Sequence, residues 1–290
     1  MIIVTKGIKL ALCCLLMAGA TVAGTVQQNW MALKSPNAPS ADTPTIFVHG
    51  MPSSYHAEVK MVQNLIDAGI TTPDNVVLAT VSPQGQVSFN HRLPSHPHNP
   101  IVEVNLENSR ERDNHVSAAW IKNVVVALEQ QYHFKKVNFV GHSSGPLLIL
   151  CYIMDNANDR HLPRVARLVS LGGAFNGALG KRDRPNAMEL APDGLPTTRQ
   201  VKEYRELLPL HESFPHHTRV LNLFGDLQDG SNSDGRVANN SSRSMRYLVA
   251  ARAQSYQEVK ITGINADHSG LHNNKKVDFY LIRFLYGQNC

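Results

Sequence analysis

Residues 137–155 read VNFVGHSSGPLLILCYIMD, and the reading of this stretch decides the fold. Val137-Asn138-Phe139-Val140 is a short β-branched and aromatic run of the kind that forms a buried strand. Pro146 to Asp155 is apolar nearly throughout and long enough to open a buried helix. Between them stands Gly141-His142-Ser143-Ser144-Gly145, a G-x-S-x-G turn. A strand–turn–helix of this kind holds its serine in a strained backbone conformation, so the residues two before and two after must be small. Gly141 and Gly145 meet that demand. Ser143 then lies at a helix N-terminus, where free N–H groups and the helix dipole favour a developing negative charge. The pentapeptide alone is common. The strand before it and the helix after it make it a nucleophile elbow with Ser143 as the candidate nucleophile.

The rest of the chain alternates in the same manner. Strands are expected near 45–49, 76–81, 101–106, 136–140, 166–171, 219–225 and 256–262, with helices near 115–132, 146–156, 241–252 and 275–286. Strands interleaved with helices argue an α/β class, with a mostly parallel central sheet flanked by helices and the functional loops gathered at its C-terminal edge. With the elbow, the expected architecture is the α/β-hydrolase fold. One long insertion, roughly 176–217, reads as its cap. Within it, Lys181-Arg182-Asp183-Arg184 reads as a solvated charge run and nothing more. Thr198 to Leu208 reads as one amphipathic helix with Val201, Tyr204, Leu207 and Leu208 on one face. The cap is either a subdomain packed beside the core or a lid over Ser143. It lacks the long apolar face of an interfacial lipase lid, which favours a soluble or modest-sized ester over bulk fat.

A nucleophilic serine needs a base, an acid to orient that base, and an oxyanion hole, and in this fold the order is Ser, Asp/Glu, His. After the strand at 219–225, Asp226, Asp229 and Asp234 compete as the acid. Asp226 sits at the strand end, where it can bond turn amides, and Asp229-Gly230 reads as ordinary turn chemistry. For the base, His268 comes first after the last strand and is flanked by small residues. His272 is the reserve, and Asp267 adjoins His268 too closely in sequence to face it readily. The oxyanion hole is expected to take the N–H of Ser144 and, after the His49-Gly50 turn that ends the first strand, the N–H of Met51.

Taken in order, PTIFVHG (44–50), NPIVEV (99–104), NFVGHSSG (138–145), GGAFNG (172–177), LNLFGDLQDGSNSDGRV (221–237) and NADHSGLH (265–272) carry a family resemblance. The chain resembles the little-characterised α/β-hydrolases grouped as cell-surface hydrolases of Gram-positive bacteria, over roughly residues 43–287. The D-G-x-V that follows the strand also resembles the acid loop of many bacterial lipases and esterases. These resemblances favour Asp234 as the acid, with Asp226 as the alternative, and support His268 as the base. They imply hydrolase chemistry and a secreted location but no substrate. The chain departs from the family at Met51-Pro52-Ser53-Ser54, where glycine-rich residues usually follow His-Gly.

Location has an independent signal. Lys6 and Lys9 precede the apolar run LALCCLLM (10–17), and AGATVAG follows with small residues. This is the three-part pattern of a signal peptide over residues 1–23, with cleavage after Ala20 or Ala23. Its apolar stretch falls short of the roughly 20 residues that span a bilayer. Residues 24–42 read as a flexible spacer and 43–290 as one hydrolase domain. Loss of Lys6 and Lys9 lowers the formal charge from +5 to +3, too mild a balance to imply nucleic acid. Cys13 and Cys14 leave with the leader, so Cys151 and Cys290 remain, read as one buried thiol and one tail thiol rather than a disulfide. The fourteen histidines form no H-E-x-x-H and no Cys/His cluster, so neither a metal nor a cofactor is expected. His96, His98, His216 and His217 read as loop residues.

The sequence therefore predicts a secreted or cell-surface serine hydrolase acting on small-molecule or lipid esters, with possible partners in the cell envelope. The same triad could cleave amides or peptides, or pass the acyl group to an acceptor other than water. A non-catalytic surface-binding protein on this scaffold is the competing class.

Overall fold

A computed structural model describes residues 43–287. The expected leader (1–23), spacer (24–42) and Cys290 lie outside the described residues. Eight strands form one sheet: β1 (Thr45–Val48), β2 (Val76–Val81), β3 (Val87–Phe89), β4 (Ile101–Leu106), β5 (Lys136–His142), β6 (Arg164–Leu171), β7 (Arg219–Asp226) and β8 (Ser255–Thr262). Their order across the sheet is β3-β2-β4-β1-β5-β6-β7-β8, and every neighbouring pair but β2 and β3 is parallel. All seven strands expected from the sequence are present. The eighth, β3, is a three-residue edge strand whose pairing with β2 no sequence period could announce.

Helices cover both faces, as a parallel sheet requires. In chain order they are α1 (Val59–Asp67), α2 (Asn114–Tyr132), α3 (Gly145–Asp155), α4 (Lys202–Leu207), α5 (Leu210–Ser213), α6 (Asn239–Arg243), α7 (Met245–Val249) and α8 (Lys275–Tyr286). One core joins α2, α3 and the cap to the sheet through residues such as Ile121, Leu148 and Tyr204. The other joins α1 and α8 through Met61, Leu65 and Leu281. Local chemistry sets the helix ends. Asp113 accepts the His115 N–H at the start of α2, and Asn274 accepts those of Lys276 and Val277 at the start of α8. Cys151 is free and buried in the α3 core, where burial pushes its thiol up to about 12.

Two expected helices are corrected. Residues 241–252 do not form one helix: α6 ends at Arg243, α7 starts at Met245, and Ser244 lies between. The buried serines prefer backbone partners there, since the hydroxyls of Ser241, Ser242 and Ser244 donate to the carbonyls of Gly177, Gly173 and Ser241. In the cap, helix begins at Lys202 rather than Thr198. The Asn176 side chain accepts the Val201 N–H and donates to the Arg199 carbonyl, which holds that approach out of helix. Val201, Tyr204 and Leu207 are buried as expected, while Leu208 is only half-buried.

Glu103 is the anomaly of the central sheet. It sits on β4 between Phe47 and Leu78 of the neighbouring strands, is 8% exposed, and one of its carboxylate oxygens has no hydrogen-bond partner. Burial pushes its carboxyl from 4.5 up to about 7. An acid whose pKa rises on folding weakens the fold as it ionises. The penalty is absent below 4.5, grows from there to about 7, and is complete above. Thermal melts of Glu103→Gln should therefore gain on the wild type as pH rises from 4.5 to 8, by about 3 kcal/mol in all. A difference that does not change with pH would contradict the burial assigned to this carboxyl.

Candidate active site

The elbow is built by steric exclusion. Ser143 has φ of 60°, a left-handed conformation that a side-chain-bearing residue keeps only when its surroundings impose it. A Cβ on Gly145 would lie 2.3 Å from the Val48 carbonyl oxygen, and one on Gly141 would lie 2.6 Å from the Pro146 nitrogen. A Cβ on Gly50 would lie 2.8 Å from the Ser143 Cβ, so the His49-Gly50 turn passes directly over the serine. Backbone bonds complete the hold. The Ser143 N–H donates to the Leu171 carbonyl, and its own carbonyl accepts from the Ala174 N–H.

His268 and Asp234, 34 residues apart, meet at the same sheet edge. Nδ1 of His268 lies 2.7 Å from Oδ2 of Asp234, with both residues buried. A carboxylate can only accept here, so Nδ1 carries the proton and Nε2 is left as the basic nitrogen. The other carboxylate oxygen, Oδ1, accepts the Arg236 and Val237 N–H groups, and the Asp234 carbonyl accepts the His268 N–H. The loops that carry Asp234 and His268 are thus joined by backbone as well as side chain. The Ser143 hydroxyl makes no hydrogen bond to His268 in this structure; the two line one cavity of about 860 Å³. Catalytic contacts of this kind are commonly looser before substrate binds.

The competing acids are occupied elsewhere. Asp226 accepts from the Gln228 N–H, Asn239 and Lys260. Burial opposes its charge, but the bonds from Lys260, Gln228 and Asn239 together hold its carboxyl below the usual range. Asp229 accepts the Ser231 N–H in an exposed turn, and Asp267 accepts the Gly270 N–H. His272 makes no hydrogen bond to Asp234; it packs edge-on against His142, with ring centroids 3.8 Å apart.

The loop expected to supply the oxyanion hole is more constrained than the sequence suggests. Ser144 caps α3, so its N–H precedes the intrahelical bonds and is free to donate into the cavity. The Met51 N–H is within reach but engaged, donating to the Ser144 hydroxyl at 2.8 Å. His49 is wholly buried. Its Nδ1–H donates to the Gly50 carbonyl, and its Nε2 accepts the Leu106 N–H. Both ring nitrogens are thereby assigned, and burial holds the imidazole below its usual range, hence neutral. His49 acts as a strut that fastens the loop to the end of β4.

The cap forms one wall of this cavity rather than packing away from it. Gly177, Leu179, Lys181, Arg182, Val201 and Glu203 face the same space as Ser143 and His268. The run at 181–184 is accordingly more than a solvated surface: Arg182 pairs with Glu203 at the cavity rim, and the Asp183 carboxyl is half-buried and raised. Sequence reading also missed Glu58, which is 2% exposed beside His142 and His272. Burial and the charge of Glu103 push its carboxyl well above the usual range. His142 is likewise held well below its usual range by burial, then by His272 and His268, while His272 is pushed down to about 4 by burial and His268.

Comparisons with known proteins agree with the fold. The model of the family described as alpha/beta hydrolase of unknown function (DUF915) matches residues 33–288, and the chain belongs to that family. The lin2722 gene product of Listeria innocua is 23% identical with a TM-score of 0.73, over 86% of this chain and 95% of that one. The "putative cell surface hydrolase" of Lactobacillus plantarum is 22% identical with a TM-score of 0.68, over 85% and 92% of the two chains. Both share the fold. No curated protein matches the sequence.

Gly145→Ala tests the packing of the elbow. Its Cβ would meet backbone rather than a flexible side chain, so the variant should lose about 3 kcal/mol or more in thermal or denaturant unfolding. A wild-type melting curve would show that α3 does not approach β1 as described. Asp226→Asn should melt early through its lost Lys260 bond while retaining turnover, whereas a loss of turnover matching that of Asp234→Asn would make Asp226 part of the triad.

Proposed function

We propose that this α/β-hydrolase is a secreted serine hydrolase that cleaves carboxylic esters by acyl transfer through Ser143, Asp234 and His268. The observation that carries the reading is the buried 2.7 Å contact between His268 and Asp234, at the edge of a cavity that a left-handed serine also lines. His268 Nε2 takes the Ser143 proton as Oγ attacks the acyl carbonyl, and Asp234 holds the tautomer and stabilises the imidazolium. The Ser144 N–H receives the oxyanion. The Met51 N–H joins it when the Ser144 hydroxyl turns aside. The histidine then protonates the departing alkoxide and activates a water to release the acid.

The cavity lining favours an ester of modest size over bulk lipid. Met51, Leu147, Phe175 and Val201 offer apolar contact, while Lys181, Arg182, Glu203 and Arg236 keep part of the wall polar. Export is supported by the leader pattern at residues 1–23 and by the cell-surface name of the Lactobacillus plantarum structure. Among the described residues no helix is long and apolar enough to cross a membrane.

Chromogenic esters of increasing acyl length provide the test. Ser143→Ala and His268→Ala should each lower kcat by about 10⁶, and Asp234→Asn by about 10⁴. Turnover that survives Ser143→Ala would remove the serine from the mechanism.

A further inference from the structure

Beside the triad, three segments distant in sequence converge on one buried point. Glu58 precedes α1, His142 ends β5, and His272 lies in the 3-10 turn Gly270–Asn273. Each offers one potential ligand atom, and these atoms all lie within 4.8 Å of one another. Two of these residues carry a buried polar atom with no partner: Oε1 of Glu58 and Nε2 of His272. Leaving such atoms unsatisfied is costly, so their occurrence in two residues of one cluster calls for a shared occupant.

We infer that Glu58, His142 and His272 form a binding site for a divalent transition-metal ion of the Zn²⁺ class. Two imidazoles and one carboxylate are a donor set that suits Zn²⁺ and leaves an open fourth position. The orientation of His142 matches the role. Its Nε2–H donates to the His268 carbonyl at 2.9 Å, leaving Nδ1 unprotonated, and metal-binding histidines commonly anchor their second nitrogen in this way. Ligands at about 2.0–2.2 Å around one tetrahedral ion stand about 3.4 Å apart, so movements of little more than about 1 Å gather the three atoms. Ala57, His142 and His272 line the main cavity, which supplies an entry path and a fourth ligand from solvent. No spacing motif announces the site, because its members come from three segments that only the fold brings together.

The site is tested by binding, independently of any hydrolytic activity. Tag-free full chain, stripped with chelator, would be titrated with Zn²⁺ by calorimetry and with Co²⁺ by visible absorption. One equivalent should bind, with the intense ligand-field bands of a low-coordinate Co²⁺ site. Glu58→Gln, which preserves side-chain shape, and His272→Gln should each weaken binding by at least about tenfold. His268→Ala and Asp234→Asn should each still bind one equivalent. Zn²⁺ should raise the Tm of the wild type more than that of Glu58→Gln at the same concentration. Absence of saturable binding would overturn the proposal. So would binding that survives both ligand substitutions, or binding lost in His268→Ala but kept in Glu58→Gln.

Discussion

The structure depends on how closely the start of α3 approaches the end of β1. Gly145 rests against the Val48 carbonyl with no room for a Cβ, and this contact fixes the direction in which the chain leaves β5. Ser143 is forced into its left-handed conformation by that exit and is then covered by Gly50. From there the strand ends are stitched together in sequence across the sheet. The Ser143 N–H binds the last carbonyl of β6, and the Gly172 N–H binds the Leu223 carbonyl of β7. Backbone bonds of this kind leave little freedom to the loops that carry Asp234 and His268.

Polar groups gathered at this edge divide into satisfied and unsatisfied sets. His49 has both ring nitrogens bonded, and Asp234 has both carboxylate oxygens bonded, so each is held in one orientation. Glu58, Glu103 and His272 each keep a buried polar atom without a partner. The first set gives this edge a rigid frame. The second, packed directly behind it, is where the same edge retains unused binding capacity.

Much of this was legible in the sequence because it rests on short-range rules. The seven longer strands follow from apolar runs between turn signals, and the elbow from two glycines spaced around a serine. Asp234 and His268 follow from chain order together with family resemblance. What could not be read depends on contacts between distant segments. Helix α1 is the exception: its buried stripe of Met61, Val62 and Leu65 stands at clear helical spacing among polar residues, so it was legible in the sequence although absent from the expected helices. The break at Ser244 and the late start of α4 arise from side chains of serine and Asn176 reaching across the fold. The engagement of the Met51 N–H by Ser144 spans 93 residues. Glu58 stands alone in sequence and acquires its setting only when β5 and the His268 loop close over it.

Labelling of the full chain with a fluorophosphonate, read by intact mass beside Ser143→Ala, tests the central claim most directly. An activated serine at the elbow predicts a single adduct that is absent from the variant. A folded wild-type protein that stays unmodified, with or without detergent to open the cavity, or an adduct that persists in Ser143→Ala, would contradict the account.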